Sequence, residues 1–148
     1  MKINTKTRYG MRAIMELAQN KTRQVIHQKD ISENQGISYK YLDQIIAGLK
    51  SSGLTASVSG KKSGYRLTRD PEQITVYDIY TAFNPELAIV ECLSGEGICA
   101  KDARCASRDF WTGLNSVIVN YLKSTTINDL VGKQDEINIE QEGLIYHI

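Results

Sequence analysis

Ile31-Ser32-Glu33-Asn34-Gln35-Gly36-Ile37-Ser38-Tyr39-Lys40-Tyr41-Leu42-Asp43-Gln44-Ile45-Ile46-Ala47-Gly48-Leu49 is the stretch that decides the fold. A short helix fits His27 to Gln35 and stops at Gly36, a residue suited to a left-handed C-terminal cap. Ile37 follows, and Ser38 is placed to cap a second helix. In that helix Leu42, Ile45, Ile46 and Leu49 share one face, and it ends before Gly53. Helix, short glycine-containing turn, helix is the helix-turn-helix arrangement.

The flanking sequence fits around this unit. Upstream, Gly10, Ala13, Ile14, Leu17 and Ala18 recur at helical spacing and predict an amphipathic helix over residues 7–20. Downstream, Leu54-Thr55-Ala56-Ser57-Val58 and Tyr65-Arg66-Leu67 flank Ser59-Gly60-Lys61-Lys62-Ser63-Gly64, two strands around a basic turn. Behind a helix-turn-helix such a hairpin is a wing. Asp70-Pro71 punctuates the chain, and Thr75 to Phe83 reads as a further helix. Residues 91–106 have no helical or strand period and read as a loop. Phe110, Leu114, Val117, Ile118, Tyr121 and Leu122, widened by Trp111, restore a helical stripe. The expected class is mainly α with a small β wing: a winged helix-turn-helix with a long C-terminal dimerisation helix. Residues 1–84 form the DNA-binding region, 85–106 a cysteine-bearing loop, 107–131 the dimerisation helix and its end, and 132–148 a flexible acidic tail of poor order.

A net charge of +1 conceals an asymmetry. Residues 1–70 carry thirteen Lys and Arg against five Asp and Glu, whereas residues 71–148 carry five against twelve. The first portion is therefore basic, as a surface directed at a polyanion requires. In the second helix of the reading unit the buried face leaves Ser38, Lys40, Tyr41 and Gln44 near the exposed N-terminal end. Gln44 can pair bidentately with adenine, and Lys40 and Tyr41 can reach phosphates. Lys61 and Lys62 at the wing tip suit the backbone or the minor groove.

Three cysteines, Cys92, Cys99 and Cys105, fall within fourteen of the 148 residues, and the chain has no others. An odd number cannot pair completely, which argues against a disulfide framework. The first residues lack the apolar run of a signal peptide, and no stretch approaches the length that spans a bilayer. A cytoplasmic protein without membrane association is expected, where clustered thiols bind metal more often than they pair. Thiolates favour zinc, copper(I) or iron–sulfur centres. Zinc sites usually use close pairs of cysteines, whereas Cys-x6-Cys-x5-Cys with Gly95 and Gly97 between the first two suits a loop around a larger core. Lys101, Arg104 and Arg108 would offset its negative charge. Closed zinc, thiols that respond by oxidation, and incidental buried cysteines are the competing readings.

Taken together, Lys6-Thr7-Arg8-Tyr9-Gly10, Ile31-Ser32-Glu33, Ile37 through Gln44, Gly53-Leu54, Gly64-Tyr65-Arg66-Leu67, the cysteines and Phe110-Trp111 form a recognisable pattern. From Met1 to about Val131 the chain resembles the IscR-type iron–sulfur winged-helix transcription regulators, whose relatives include NsrR, RirA and the cluster-free CymR. The resemblance implies a homodimer on double-stranded DNA, with long C-terminal helices crossing between subunits. It implies major-groove contacts from Ser38, Lys40, Tyr41 and Gln44, and a wing contact from Ser59, Gly60 and Lys61. It implies an iron–sulfur cluster on Cys92, Cys99 and Cys105, of 2Fe-2S type with 4Fe-4S as the alternative. Two positions depart from it. Arg108 stands where IscR has a histidine ligand, and guanidinium has no lone pair for a metal. Ser59 stands where IscR has a groove-reading arginine. Glu91, Glu96, Asp102 and Asp109 are local candidates for a fourth ligand, while Lys6, Thr7, Arg8 and Tyr9 offer no carboxylate.

The expected function is a cluster-dependent, non-enzymatic transcription regulator sensing iron–sulfur or redox status on a pseudo-palindromic operator. A cluster-free regulator controlled by thiol oxidation or a protein partner is the alternative. An iron–sulfur redox carrier or enzyme is the third reading. It would need a substrate pocket or acid–base group, and His27 and His147 stand in no catalytic motif. No small-molecule substrate is expected.

Overall fold

The computed structural model describes residues 3–20, 25–95 and 104–145. Helices α1 (Thr5–Gln19), α2 (Gln28–Gln35) and α3 (Tyr39–Ser51) precede the strands β1 (Thr55–Val58) and β2 (Gly64–Leu67). Then follow α4 (Val76–Phe83), α5 (Ala106–Ser124) and α6 (Ile127–Ile145), with 3-10 turns at Pro71–Gln73 and Glu91–Leu93. The strands are antiparallel, Thr55 opposite Leu67 and Val58 opposite Gly64. This is the winged helix-turn-helix expected from the sequence.

The helix boundaries have local causes. The Asn4 side chain accepts from the Thr7 amide at 2.7 Å and starts α1. Gly36, at φ 59°, ends α2 in the left-handed conformation that costs glycine no side-chain clash. Ser38 accepts from the Tyr41 amide at 3.3 Å and starts α3. Thr75 and Asp78 bond reciprocally in a capping box at the head of α4. Each of these helices falls within two residues of its sequence-based limits.

Buried aliphatic side chains from α1 (Ala13, Ile14, Leu17), α2 (Ile31), α3 (Leu42, Ile45, Ile46, Leu49) and α4 (Ile79) form one core with Leu54 and Ile74. The Phe83 ring, at the end of α4, lies between α1 and α3. A Cβ at Gly10 would come within 2.3 Å of that ring, and one at Gly48 within 2.5 Å. Both helices therefore need a glycine where the ring enters. A polar clamp holds α2 to α1: the Glu16 carboxylate accepts from Asn34 at 2.7 Å and from Gln35 at 2.6 Å.

The C-terminal portion corrects the sequence reading. In place of an end near residue 131 and a poorly ordered tail from 132, α5 stops at Ser124 and α6 runs to Ile145. The Val76 amide donates to the Thr125 carbonyl at 2.9 Å and the Ile127 amide to the Ile74 carbonyl at 2.8 Å. This strap turns the chain and places Ile127 and Val131 in the core. Thr126 and Asp129 exchange cap bonds, the Thr126 amide donating at 2.9 Å and the Asp129 amide donating back at 3.1 Å. Past Gly132 the sequence has no proline and is mostly of residues that tolerate a helix, so an anchored first turn propagates. Residues 146–148 of the expected tail lie outside the described residues.

Two predictions follow from these contacts. Gly48→Ala should destabilise the protein by about 1–2 kcal/mol, overpacking against Phe83 outweighing the gain in helix propensity. In a Phe83→Ala background the same change should stabilise by up to about 1 kcal/mol, a sign reversal that denaturant titration of the four-protein cycle measures. Separately, bonds from the Thr126 backbone amide, then the Thr126 hydroxyl, with Lys133 adding a smaller attraction, hold the Asp129 carboxyl below the ordinary aspartate range. A depressed carboxyl stabilises above its unfolded value and loses that contribution as pH falls through its folded one. Helix content should therefore decline below about pH 4, and this decline should shrink in Asp129→Asn, as circular dichroism would register.

Candidate nucleic-acid interface and cysteine site

In α3, Leu42, Ile45, Ile46 and Leu49 are buried, whereas Ser38, Lys40 and Gln44 are exposed. The two faces divide as the periodicity predicts. Tyr41 differs: it is half-buried, with its ring edge-on to Tyr9 at 5.7 Å between centroids. Arg12 lies 5.4 Å over the other partner, Tyr9. Tyr39, which the sequence reading did not select, is 54% exposed and presents a phenol at the start of the helix.

At the wing, Ser59, Gly60, Lys61 and Lys62 are all exposed at the tip. Gly60 has φ 112°, so the turn conformation itself demands glycine there. The wing base is anchored in a way the sequence did not disclose. Ile26 and Tyr65 exchange backbone hydrogen bonds of 3.1 and 2.9 Å, adding a bridge outside the two named strands. Gly64 permits this approach, since a Cβ there would stand 2.2 Å from the Ile26 carbonyl oxygen. The Tyr65 hydroxyl donates at 3.1 Å to the side-chain oxygen of Gln28, whose amide nitrogen donates to Asp43 at 2.5 Å and to the Tyr39 carbonyl at 3.4 Å. Burial first, then the Asp43 carboxylate and Tyr39, raises the Tyr65 phenol above its ordinary value and keeps it a donor. A glutamine opening a helix carries no signal of this role; only its burial does.

Cys92 is half-buried in the turn Glu91–Leu93, and Cys105 is half-buried at the N-cap of α5. Cys99 lies outside the described residues, as do Glu96, Gly97, Lys101, Asp102 and His147. Arg108, one turn into α5, donates from Nε to the Cys92 carbonyl at 3.4 Å. Seven residues further along, Asn115 donates to the Leu87 carbonyl at 3.1 Å and accepts from the Ile89 amide at 3.2 Å. Two side chains of α5 thus hold segment 87–92 against the helix that Cys105 begins. Among the described residues no group of three or more His, Cys, Asp or Glu side chains is gathered for a metal. Thiols at both ends of this segment, with a third in the chain between them, fit a soft metal centre in donor chemistry. Arg108 donates a proton where a ligand would need a lone pair.

Helix α5 buries none of its residues. Phe110 (63% exposed), Leu114 (39%), Val117 (65%) and Tyr121 (70%) lie within about 60° of arc at 100° per residue. Their spacing of four, three and four is that of a coiled-coil seam. Among the described residues no helix is long and apolar enough to cross a membrane.

Over residues 3–133 the chain matches the Rrf2 family, described as iron-dependent transcriptional regulators, and it belongs to that family. It is 34% identical over 139 residues to the HTH-type transcriptional regulator IscR of Vibrio vulnificus, covering 94% of this chain and 82% of that protein. Among solved structures it is similar to CymR, the global cysteine regulator of B. subtilis, with a TM-score of 0.76, 30% identity, and 90% and 98% of the two chains covered. It is also similar to T. potens IscR, with a TM-score of 0.74, 31% identity, and 93% and 90% covered. The family and the Vibrio vulnificus relative are named as transcriptional regulators and CymR as a cysteine regulator, none of them as an enzyme.

Proposed function

We propose that this Rrf2-family regulator is a cytoplasmic, homodimeric, iron–sulfur-dependent DNA-binding protein that reports iron–sulfur or redox status. Cys92, Cys99 and Cys105 are the protein ligands, and a bound cluster would supply a redox-active centre. The observation that carries the reading is the joining of the cysteine segment to α5 through Arg108, Asn115 and the Cys105 cap, which ties a thiol site to the helix bearing the exposed seam.

A second copy covers that seam. Pairing would set two α3 helices on one side of a duplex, about 34 Å apart, to read a pseudo-palindrome. Ser38, Lys40, Tyr41 and Gln44 would meet the major groove, and Ser59, Gly60 and Lys61 the adjoining groove. Tyr41 would act from a ring braced on Tyr9. Switching requires the two states of the cysteine segment to stabilise different placements of α5 by different amounts.

Anaerobic purification with iron and acid-labile sulfide counting tests the cluster. Cys99→Ala should lose both while keeping its thermal transition, and its operator preference should change; retention of full iron and sulfide overturns the ligand assignment. The seam is tested with Val117→Glu, expected to sediment as a monomer and to lose at least about tenfold in operator affinity. A Val117→Glu protein that remains a dimer removes α5 from the interface.

A cluster-free, thiol- or partner-controlled regulator is the second reading. The likeness to CymR favours it, as does the identity of Arg108, whose guanidinium has no lone pair to offer a metal. Colourless, iron-free protein with full operator binding would select it.

A further inference from the structure

Between the wing and α3 lies a cleft of about 560 Å3, with His27, Lys29, Tyr39, Ser57 and Ser63 around its mouth and Tyr65 inside. Those five mouth residues are exposed. Gln28, only 9% exposed, forms part of its floor and links all three walls through its bonds to Tyr65, Asp43 and the Tyr39 carbonyl. The Ile26–Tyr65 backbone pair and the close approach at Gly64 hold the wing to the residues just before α2. The cleft is therefore a gap of fixed width.

DNA geometry gives that gap an occupant. A helix in the major groove and a wing in the adjoining minor groove are separated by one sugar–phosphate ridge, so a protein touching both must straddle it. The donors at the mouth suit phosphate. Among the described residues, the ion pair that Lys29 has to give up is an exposed one with Glu33 at 3.7 Å, and such pairs are weak. Asp30 also lines the cleft, while the Asp43 carboxylate is engaged by Gln28.

We propose that this cleft seats one sugar–phosphate ridge of the operator, with His27, Lys29, Ser57 and Ser63 as phosphate donors and Gln28 as the positioning residue that sets its width. The inference rests on the DNA-binding reading and adds to it a contact set and a distance constraint between helix and wing.

The test uses the full chain and two 30-base-pair duplexes, one selected by the wild-type protein from a random pool and one unrelated, with affinity measured by fluorescence anisotropy across a KCl series. Lys29→Ala should weaken both duplexes by the same factor and reduce the slope of log affinity against log salt by about 0.9, one phosphate's worth. Ser63→Ala should weaken both equally without changing that slope. Gln28→Leu should retain cooperative melting yet lose about tenfold in preference for the selected duplex, as expected when helix and wing no longer keep register. Should Gln28→Leu fail to fold, Tyr65→Phe, which removes one hydroxyl, must give a smaller loss in the same direction. In a hydroxyl-radical footprint, protection of the sugars between the two grooves should weaken in each variant. Wild-type binding with unchanged slope, preference and footprint in the variants overturns the seat and leaves DNA binding intact. Millimolar inorganic phosphate bound at the cleft without competing with duplex also overturns it, in favour of a small-anion site. Failure of the wild-type protein to bind either duplex at low salt refutes the DNA-binding reading itself.

Discussion

The Phe83 ring, seated between glycines of two helices, is the contact on which the arrangement of this protein depends. Backbone-level approach at Gly10 and Gly48 leaves the ring little freedom to shift, because its two edges meet different elements. Interiors packed at this density transmit displacement instead of absorbing it. The contact therefore fixes α3, the helix with the exposed polar end, relative to α4. Polar bonds support it from one side: Asn84, just after Phe83, donates to the Thr7 hydroxyl at 2.9 Å and accepts from Asn4 at 2.9 Å, joining the end of α4 to the start of α1.

From α4 the same mechanical logic extends to the C-terminal helices. The residues before α4 are paired with the α5–α6 junction by the Thr125 and Ile74 backbone bonds, and Lys123 sits 4.8 Å over the Tyr77 ring. At its other end α5 grips the segment that carries Cys92. A continuous series of direct contacts thus runs from the cysteine site through α5, the strap and α4 to the glycine notch in α3. Contact is what a coupling needs in order to operate; a difference in free energy between two arrangements is what would make it regulatory.

Sequence reading and structure agree best where the signal is local. The caps at Ser38 and Gly36, the apolar periodicity of α1 and α3, and the hairpin around Gly60 all express preferences of a few neighbouring residues. The family motifs followed from the same stretches. The reading failed beyond Gly132, where a glycine and an acidic composition suggested an end. There the helix begins because Thr126 and Asp129 cap it and Ile127 finds a hydrophobic seat, neither of which composition discloses. Tyr41 looked exposed by periodicity, but Tyr9, thirty-two positions earlier, comes to meet it.

The sequence by itself determined the element types as far as α5, the polar end of the reading helix, the basic wing and the clustered thiols, because each is written in residue identity and short-range spacing. Only the tertiary structure decided that Gln28 joins wing to helix, that Arg108 and Asn115 bind the cysteine segment to α5, and that one face of α5 is left bare. Those facts rest on groups distant in the chain meeting at hydrogen-bond or van der Waals distance, and such meetings are set by packing the whole core at once.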